Sequence, residues 1–265
     1  MSSVVKQGKA LITGASTGMG AVYADRLAKR GYDLILVARD EAKLNLVSNK
    51  IKLDHGVEVA VVAADLTNKT ELAGIESLLR SDNSITLLVN NAGLGAVTKL
   101  EESNIDDIET MISLNVIALT RLSAAIVPGL IAKGQGAIIN IASIVALAPE
   151  LLNGAYSGSK AYVVNFTQSM HHELAEKGIK VQAVLPGAID TPFWDKGGLP
   201  VSNLPAQIVM QPETLVDSAL SGFDLGEVIT IPSLPNIEDW DNFESARKAL
   251  GPNLSHTTPA GRYLS

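Results

Sequence analysis

The sequence predicts an α/β fold: a doubly wound sheet of about seven parallel strands with helices on both faces. Three observations carry this. Short apolar runs alternate with longer helix-like segments along most of the 265 residues, as in a parallel sheet joined by crossover helices. The first apolar run enters a glycine-rich turn and then a helix. Later strands end in polar or glycine-bearing turns, on the edge where open α/β sheets hold ligands.

Lys9 to Ile12 reads as the first strand, followed by Thr13-Gly14-Ala15-Ser16-Thr17-Gly18-Met19-Gly20. A helix from Gly18 to Arg30 carries Ala21, Val22, Ala24, Leu27 and Ala28 as its apolar stripe. Strand, glycine turn and helix together predict phosphate binding, because glycines let backbone N–H groups approach a pyrophosphate at the helix N-terminus. The spacing is G-x-x-x-G-x-G, and a turn of this kind alone is weak evidence.

Asp33 to Ala38 is the second strand, and Arg39-Asp40 follows it. An acid at this point accepts from the free ribose hydroxyl of NAD; an arginine accommodates the 2′-phosphate of NADP. Ala38 leaves no acid at the strand end and Arg39 offers a forked cation, so NADP(H) is favoured over NAD(H). Asp40 reads as the cap of the next helix, which runs from about Leu44 to Leu53. Val57 to Ala63 is the third strand, ending at Ala64-Asp65-Leu66. Asp65 either meets an adenine amino group or caps the helix of Leu72, Ile75, Leu78 and Leu79.

Thr86 to Val89 is the fourth strand, and Asn90-Asn91-Ala92-Gly93 follows. A long helix from Ile105 to Ile131 holds Asn115 among apolar neighbours. An unpaired buried amide costs about 1–3 kcal/mol, so Asn115 needs a partner or a bound water. Ala137 to Ala142 is the fifth strand and ends at Ser143. Asn153 to Met170 is a helix; Lys180 to Leu185 is a sixth strand, ending Pro186-Gly187-Ala188-Ile189-Asp190-Thr191-Pro192; Glu227 to Ile231 is a seventh. A C-terminal extension, 232–265, contains a helix from Asp239 to Leu250.

Tyr156 and Lys160 stand four apart, on one face of a helix. A nearby cation favours a phenolate, so the tyrosine pKa is expected to fall from its usual value near ~10. A fall of about three units takes roughly 4 kcal/mol, more than Lys160 alone supplies, so the charge of a bound cofactor contributes. By itself the pair is ordinary, since tyrosine and lysine meet at this spacing by chance in most proteins.

Composition excludes several classes. The net charge of −7 argues against nucleic acid, which is bound through Lys and Arg on phosphates. No cysteine is present, so disulfides and thiol catalysis are out. No apolar run approaches the ~18 residues of a membrane span, and the first residues do not resemble a signal peptide. A soluble, cytoplasmic protein is expected. Of the four histidines, His171 and His172 are adjacent and diverge by about 100° on a helix. No metal site is expected.

TGASTGMG, NNAG, Ser143, YSGSK and PGAIDTP, in this order and spacing, resemble the short-chain dehydrogenase/reductase family, in its compact single-domain branch of the Rossmann type. The resemblance runs from about Lys9 to about Thr191, and the rest of the fold is expected to reach Ile231. It implies that Tyr156 is the acid/base, that Lys160 lowers its pKa and bonds the nicotinamide ribose, and that Ser143 donates to the substrate oxygen. It implies that Asn115 holds a water linking Lys160 to solvent. Gly14, Ser16, Thr17, Gly18, Met19 and Gly20 match the cofactor turn; Asp65, Leu66, Asn91, Ala92 and Gly93 match the adenosine side. Pro186, Gly187, Ile189 and Thr191 match the nicotinamide side. Arg39 matches NADP-preferring members, although many of these also carry a basic residue where this chain has Thr17.

The segments expected to close the substrate pocket are Leu94 to Val97, Ile144 to Leu152 and Phe193 to Met210. They are apolar, which favours an apolar ketone or aldehyde. Residues 190–212, with Gly197, Gly198, Pro200 and Pro205, read as a substrate lid; Asp195 and Lys196 add polar groups there. Ala161-Tyr162-Val163-Val164 wraps the Tyr156 helix with apolar residues, as when a second subunit covers it, and the resemblance implies a homodimer or homotetramer. A nucleotide-binding regulator on the same fold is the alternative.

Overall fold

The computed structural model describes residues 7–196 and 200–264, without the side chains of residues 195 and 196. Gly197 and Gly198 of the expected lid therefore lie outside the described residues, as do the Asp195 and Lys196 side chains. The chain divides into two compact units, one ending at Pro232 and one beginning at Ser233.

The first unit opens with strand β1 (Lys9–Thr13), helix α1 (Gly18–Lys29), strand β2 (Asp33–Ala38) and helix α2 (Glu41–His55). Strand β3 (Val59–Ala63), helix α3 (Lys69–Ser81) and strand β4 (Ile85–Asn90) follow. Next come α4 (Ile105–Ile112), a π-helical turn (Ser113–Ala118), α5 (Leu119–Lys133) and β5 (Gly136–Ile141). Helix α6 (Gly154–Leu174), β6 (Ile179–Val184), β7 (Ala188–Ile189), α7 (Phe193–Lys196) and β8 (Val209–Met210) lead to α8 (Pro212–Leu225) and β9 (Ile229–Thr230).

Seven strands form one sheet in the order β3-β2-β1-β4-β5-β6-β9, every pairing parallel. Winding one way from β1 to β3 and the other way from β4 onward puts a crevice between the ends of β1 and β4, the switch point of a doubly wound sheet. Leu34 to Val37 and Leu87 to Val89 are buried, as strands covered on both faces must be. One core layer joins the sheet to α1, α2 and α8, the other to α3, α5 and α6.

The expected strands and helices are present, with ends shifted by a few residues. Asp40 caps α2, accepting from the Lys43 N–H at 3.0 Å. Asp65 does not cap α3. Asn68 does, accepting from Thr70 and Glu71 N–H groups at 2.9 and 3.2 Å. The Asp65 carboxylate instead closes a tight turn on the Thr67 N–H and hydroxyl at 2.9 and 2.7 Å. Glu76, buried on α3, is paired with Arg80 and with Arg121 of α5, which a buried carboxylate requires.

The helical run Ile105–Lys133 is long and apolar enough, at hydropathy 1.7, to cross a membrane by those measures. Its α5 part packs on α3, β4 and β5, and 44 % of its most apolar stretch is buried. Its π turn was not expected and falls at Asn115. Two further features were also unforeseen: β7 and β8 pair in parallel, and the Asp190 N–H donates to the Met210 carbonyl at 3.0 Å. Asp190 and Met210 thus bring the two ends of the expected lid segment side by side. In the second unit, helix α9 (Ile237–Ala249) has no buried residue.

Candidate active site

The strand ends of β1, β2, β3 and β4 surround a cavity of about 460 Å³. Gly14, Ser16, Thr17, Gly18 and Met19 line it on one side, Arg39, Asp65 and Leu66 on another, and Asn91, Ala92, Gly93 and Thr191 on a third. Gly20 does not line it. It lets α1 close onto the turn, since a Cβ there would stand 2.2 Å from the Gly14 carbonyl oxygen.

The turn fits a dinucleotide diphosphate. Gly14 and Gly18 have φ of +66° and +55°, backbone that favours glycine. A Cβ on Gly14 would lie 2.8 Å from Asn91 Nδ2, and one on Gly18 3.1 Å from Thr191 Cγ2. Asn91 holds the two loops together, its amide donating to the Thr13 and Gly14 carbonyls at 2.9 and 3.2 Å. The N-cap Thr17 makes no side-chain capping bond and the first turn of α1 has no acid. Free N–H groups and the positive end of the helix dipole therefore remain for an anion.

Around the end of β2, Arg39 and Lys43 both face the cavity. The Arg39 guanidinium, 63 % exposed, has only a loose contact of 4.0 Å to Asp65, and the Lys43 ammonium lies 3.1 Å from Asp40. Burial raises the Asp65 pKa, but the Thr67 hydrogen bonds and Arg39 outweigh it and the carboxyl is held below its ordinary value. The sequence reading missed Lys43; its signal was a cation one turn after the cap Asp40.

Tyr156 and Lys160 rise from α6 into a second, buried cluster. Tyr156, Ser143, Lys160 and Asn115 are each 8 % exposed or less. Tyr156 packs with Met111 and Val145, flanked by Leu94, Ala96, Leu152 and Phe193. Lys160 Nζ stands 5.9 Å from the Tyr156 ring centre and donates to the Ile141 carbonyl at 2.9 Å. Ser143, just past the end of β5, donates to the Pro186 carbonyl at 3.4 Å and accepts from the Val145 N–H at 3.4 Å. The expected fall of the Tyr156 pKa is not found. Burial pushes it up to about 12, opposed by Ser143. Burial also pushes the Lys160 ammonium down to about 8. Both shifts have one cause, since the charged form of each group loses water.

Asn115 has the partner it needs. Its oxygen accepts from the Leu94 N–H at 2.9 Å, and its nitrogen donates to the Leu94 carbonyl at 2.8 Å and to Ser159 Oγ at 3.1 Å. The side-chain amide is thus satisfied by protein groups. It ties the loop after β4 to the π turn and to α6. Gly93 stands where this cluster meets the cavity: a Cβ there would be 3.2 Å from Asn115 Oδ1 and 3.5 Å from Lys160 Nζ. Pro186, Gly187 and Ile189 lie outside the cavity wall; the Pro186 carbonyl accepts from Ile144 N–H at 3.0 Å, and Ile189 is buried.

The chain is similar to known proteins over most of its length. The family model described as short chain dehydrogenase matches residues 8–198. An uncharacterized oxidoreductase of Staphylococcus epidermidis is 33 % identical over 190 residues, 71 % of this chain and 81 % of that one. A short-chain dehydrogenase from Sphingobium yanoikuyae, solved with NADPH, superposes with a TM-score of 0.94 at 43 % identity, covering 97 % of this chain and 99 % of that one. The bulky-bulky ketone specific alcohol dehydrogenase from Comamonas testosteroni follows at 0.91 and 40 %, covering 98 % and 100 %. Fold, site geometry and family match agree: the chain belongs to the short-chain dehydrogenase/reductase family of oxidoreductases.

Proposed function

We propose that the protein is an NADP(H)-dependent oxidoreductase that interconverts an apolar ketone or aldehyde and the corresponding alcohol. The observation that carries this is the buried cluster of Tyr156, Ser143 and Lys160 set against the glycine-walled cavity. When bound, the nicotinamide supplies or takes up the hydride. Tyr156 gives its hydroxyl proton to the carbonyl oxygen in reduction and takes it back in oxidation. Ser143 donates a hydrogen bond to the same oxygen as it becomes an alkoxide. The Lys160 charge favours the phenolate that Tyr156 becomes. Asn115 positions the Leu94 peptide beside Lys160 through its two bonds to that peptide.

Gly14, Ser16, Thr17, Gly18 and Met19 offer the diphosphate site, and Asp65, Leu66, Asn91, Ala92 and Gly93 the adenosine side. Pro186, Gly187, Ile189 and Thr191 border the nicotinamide side. Arg39 and Lys43 both face the cavity, with no acid at Ala38, which favours NADP(H); the NADPH complex of the Sphingobium relative points the same way. Hydrogen bonds to charged groups contribute about 1.5–3 kcal/mol. Arg39→Ala is therefore expected to raise KM for NADPH roughly tenfold to a hundredfold while leaving that for NADH within about twofold. The test is NADPH and NADH oxidation against a panel of ketones, aldehydes and quinones. Faster turnover with NADH in the wild type contradicts the assignment.

The apolar lining of the Tyr156 cluster supports the apolar substrate, as does the ketone named for the Comamonas relative. Residues 190–212 act as the lid, with the β7–β8 pair as its base. Ile117 and Tyr162 leave 49 % and 37 % of their surfaces exposed on the outer sides of the π turn and α6, and supply the apolar face of a homodimer or homotetramer. Light scattering should give two or four times the 27.8 kDa chain mass; a monomer at micromolar concentration rules this out. The same reading locates the protein in the cytoplasm.

A further inference from the structure

We propose that Phe193 and Gly95 act as a pair that sets the size of substrate the site accepts; the proposal rests on the carbonyl-reductase reading above. The Phe193 ring lies 6.1 Å from the Tyr156 ring, tilted by 44°, and packs on the cluster of Met111, Val145 and Tyr156. It therefore stands beside the ring of the tyrosine whose hydroxyl must reach the substrate carbonyl. Whatever the carbonyl carries on that side meets this ring first.

The seat of the ring is a missing side chain. A Cβ on Gly95 would lie 2.5 Å from Phe193 Cζ, 2.9 Å from Cε1 and 3.3 Å from Cε2, and these are its three nearest atoms. Gly95 is not one of the glycines with positive φ, so its backbone accepts alanine without strain. An added methyl group acts on the Phe193 ring and on nothing else as near. Trp194 also meets the ring, edge-on at 5.9 Å and 88°, with its indole N–H donating to the Ile189 carbonyl at 2.9 Å. The ring thus touches both an empty glycine position and an anchored tryptophan. A ketone with one small arm fits beside it, whereas a ketone with two large arms needs the volume the ring fills.

The test compares kcat/KM for acetophenone and valerophenone, which differ only in the length of one arm. Phe193→Ala should raise the valerophenone-to-acetophenone ratio at least tenfold. Phe193→Leu, which keeps an apolar contact and guards against misfolding, should raise it less. Gly95→Ala should change the ratio fivefold or more in the wild type and less than twofold in Phe193→Ala, the signature of two residues acting through one contact. Trp194 emission in a Trp240→Phe background reads the same coupling without turnover: Gly95→Ala shifts it only while Phe193 is present. Unchanged ratios in both Phe193 variants overturn the proposal, as does a Gly95→Ala effect of equal size in both backgrounds. If the wild type turns over neither ketone, it is the reductase reading that fails, and Trp194 emission still decides whether Gly95 acts through Phe193.

Discussion

Tyr156→Phe should bind NADPH as the wild type does and lose turnover by roughly a hundredfold to ten-thousandfold, the usual contribution of a positioned acid. The substitution removes one oxygen. It keeps the ring that packs on Met111 and Val145, so the fold should survive and Tm should move little. Fluorescence titration with NADPH and steady-state kinetics, side by side, make the measurement. A regulator built on the same fold would show binding without turnover in both proteins. Turnover that persists in the variant at more than a tenth of the wild-type rate would remove Tyr156 from the chemistry.

Lys160→Met should abolish turnover and, without cofactor, stabilise the protein near neutral pH. Burial lowers the Lys160 pKa from 10.5 to about 8. Below about pH 8 both the folded and unfolded states carry the charge, and the folded state bears the full cost of burying it. At ~1.4 kcal/mol per pH unit this is of order 3 kcal/mol, offset by about 1 kcal/mol for the bond to the Ile141 carbonyl. Between about pH 8 and 10.5 the unfolded chain holds more protons, so wild-type stability rises with pH across this window. Tyr156 works the other way from pH 10 to about 12, where the folded state keeps a proton the unfolded state has lost. The Tm advantage of Lys160→Met should therefore be about 3–8 °C at pH 7, at roughly 2–4 °C per kcal/mol, and should shrink by pH 10. An advantage that is absent at pH 7, or that does not vary with pH, would show that Lys160 is not desolvated.

The sequence carries the sheet well because parallel strands are buried on both faces. Leu34 to Val37 is apolar without a break and could hardly be anything else. Tyr156 and Lys160 were legible as a pair because helical spacing alone puts them on one face. What was not legible depends on distance through space. The Leu94 peptide that satisfies Asn115 comes from the loop after β4, and no local pattern announces it. A single π turn adds a residue that a 3.6-residue period absorbs unnoticed. The strands β7 and β8 are two residues each, too short to show any alternation. Asn68 rather than Asp65 caps α3 because Asp65 is taken up by Thr67. The Tyr156 pKa is expected to fall because a cation lies four residues away; it rises because burial, which no spacing reveals, outweighs the opposing contribution of Ser143.

The central claim is that this buried cluster serves hydride transfer between a nicotinamide in the glycine-walled cavity and a carbonyl carbon. Turnover of an apolar ketone with NADPH deuterated at the transferring C4 position tests it most directly. The expected product is an alcohol with one deuterium on its carbinol carbon, formed by the wild type and not by Tyr156→Phe. Tight NADPH binding with no labelled alcohol from any ketone or aldehyde offered would contradict it.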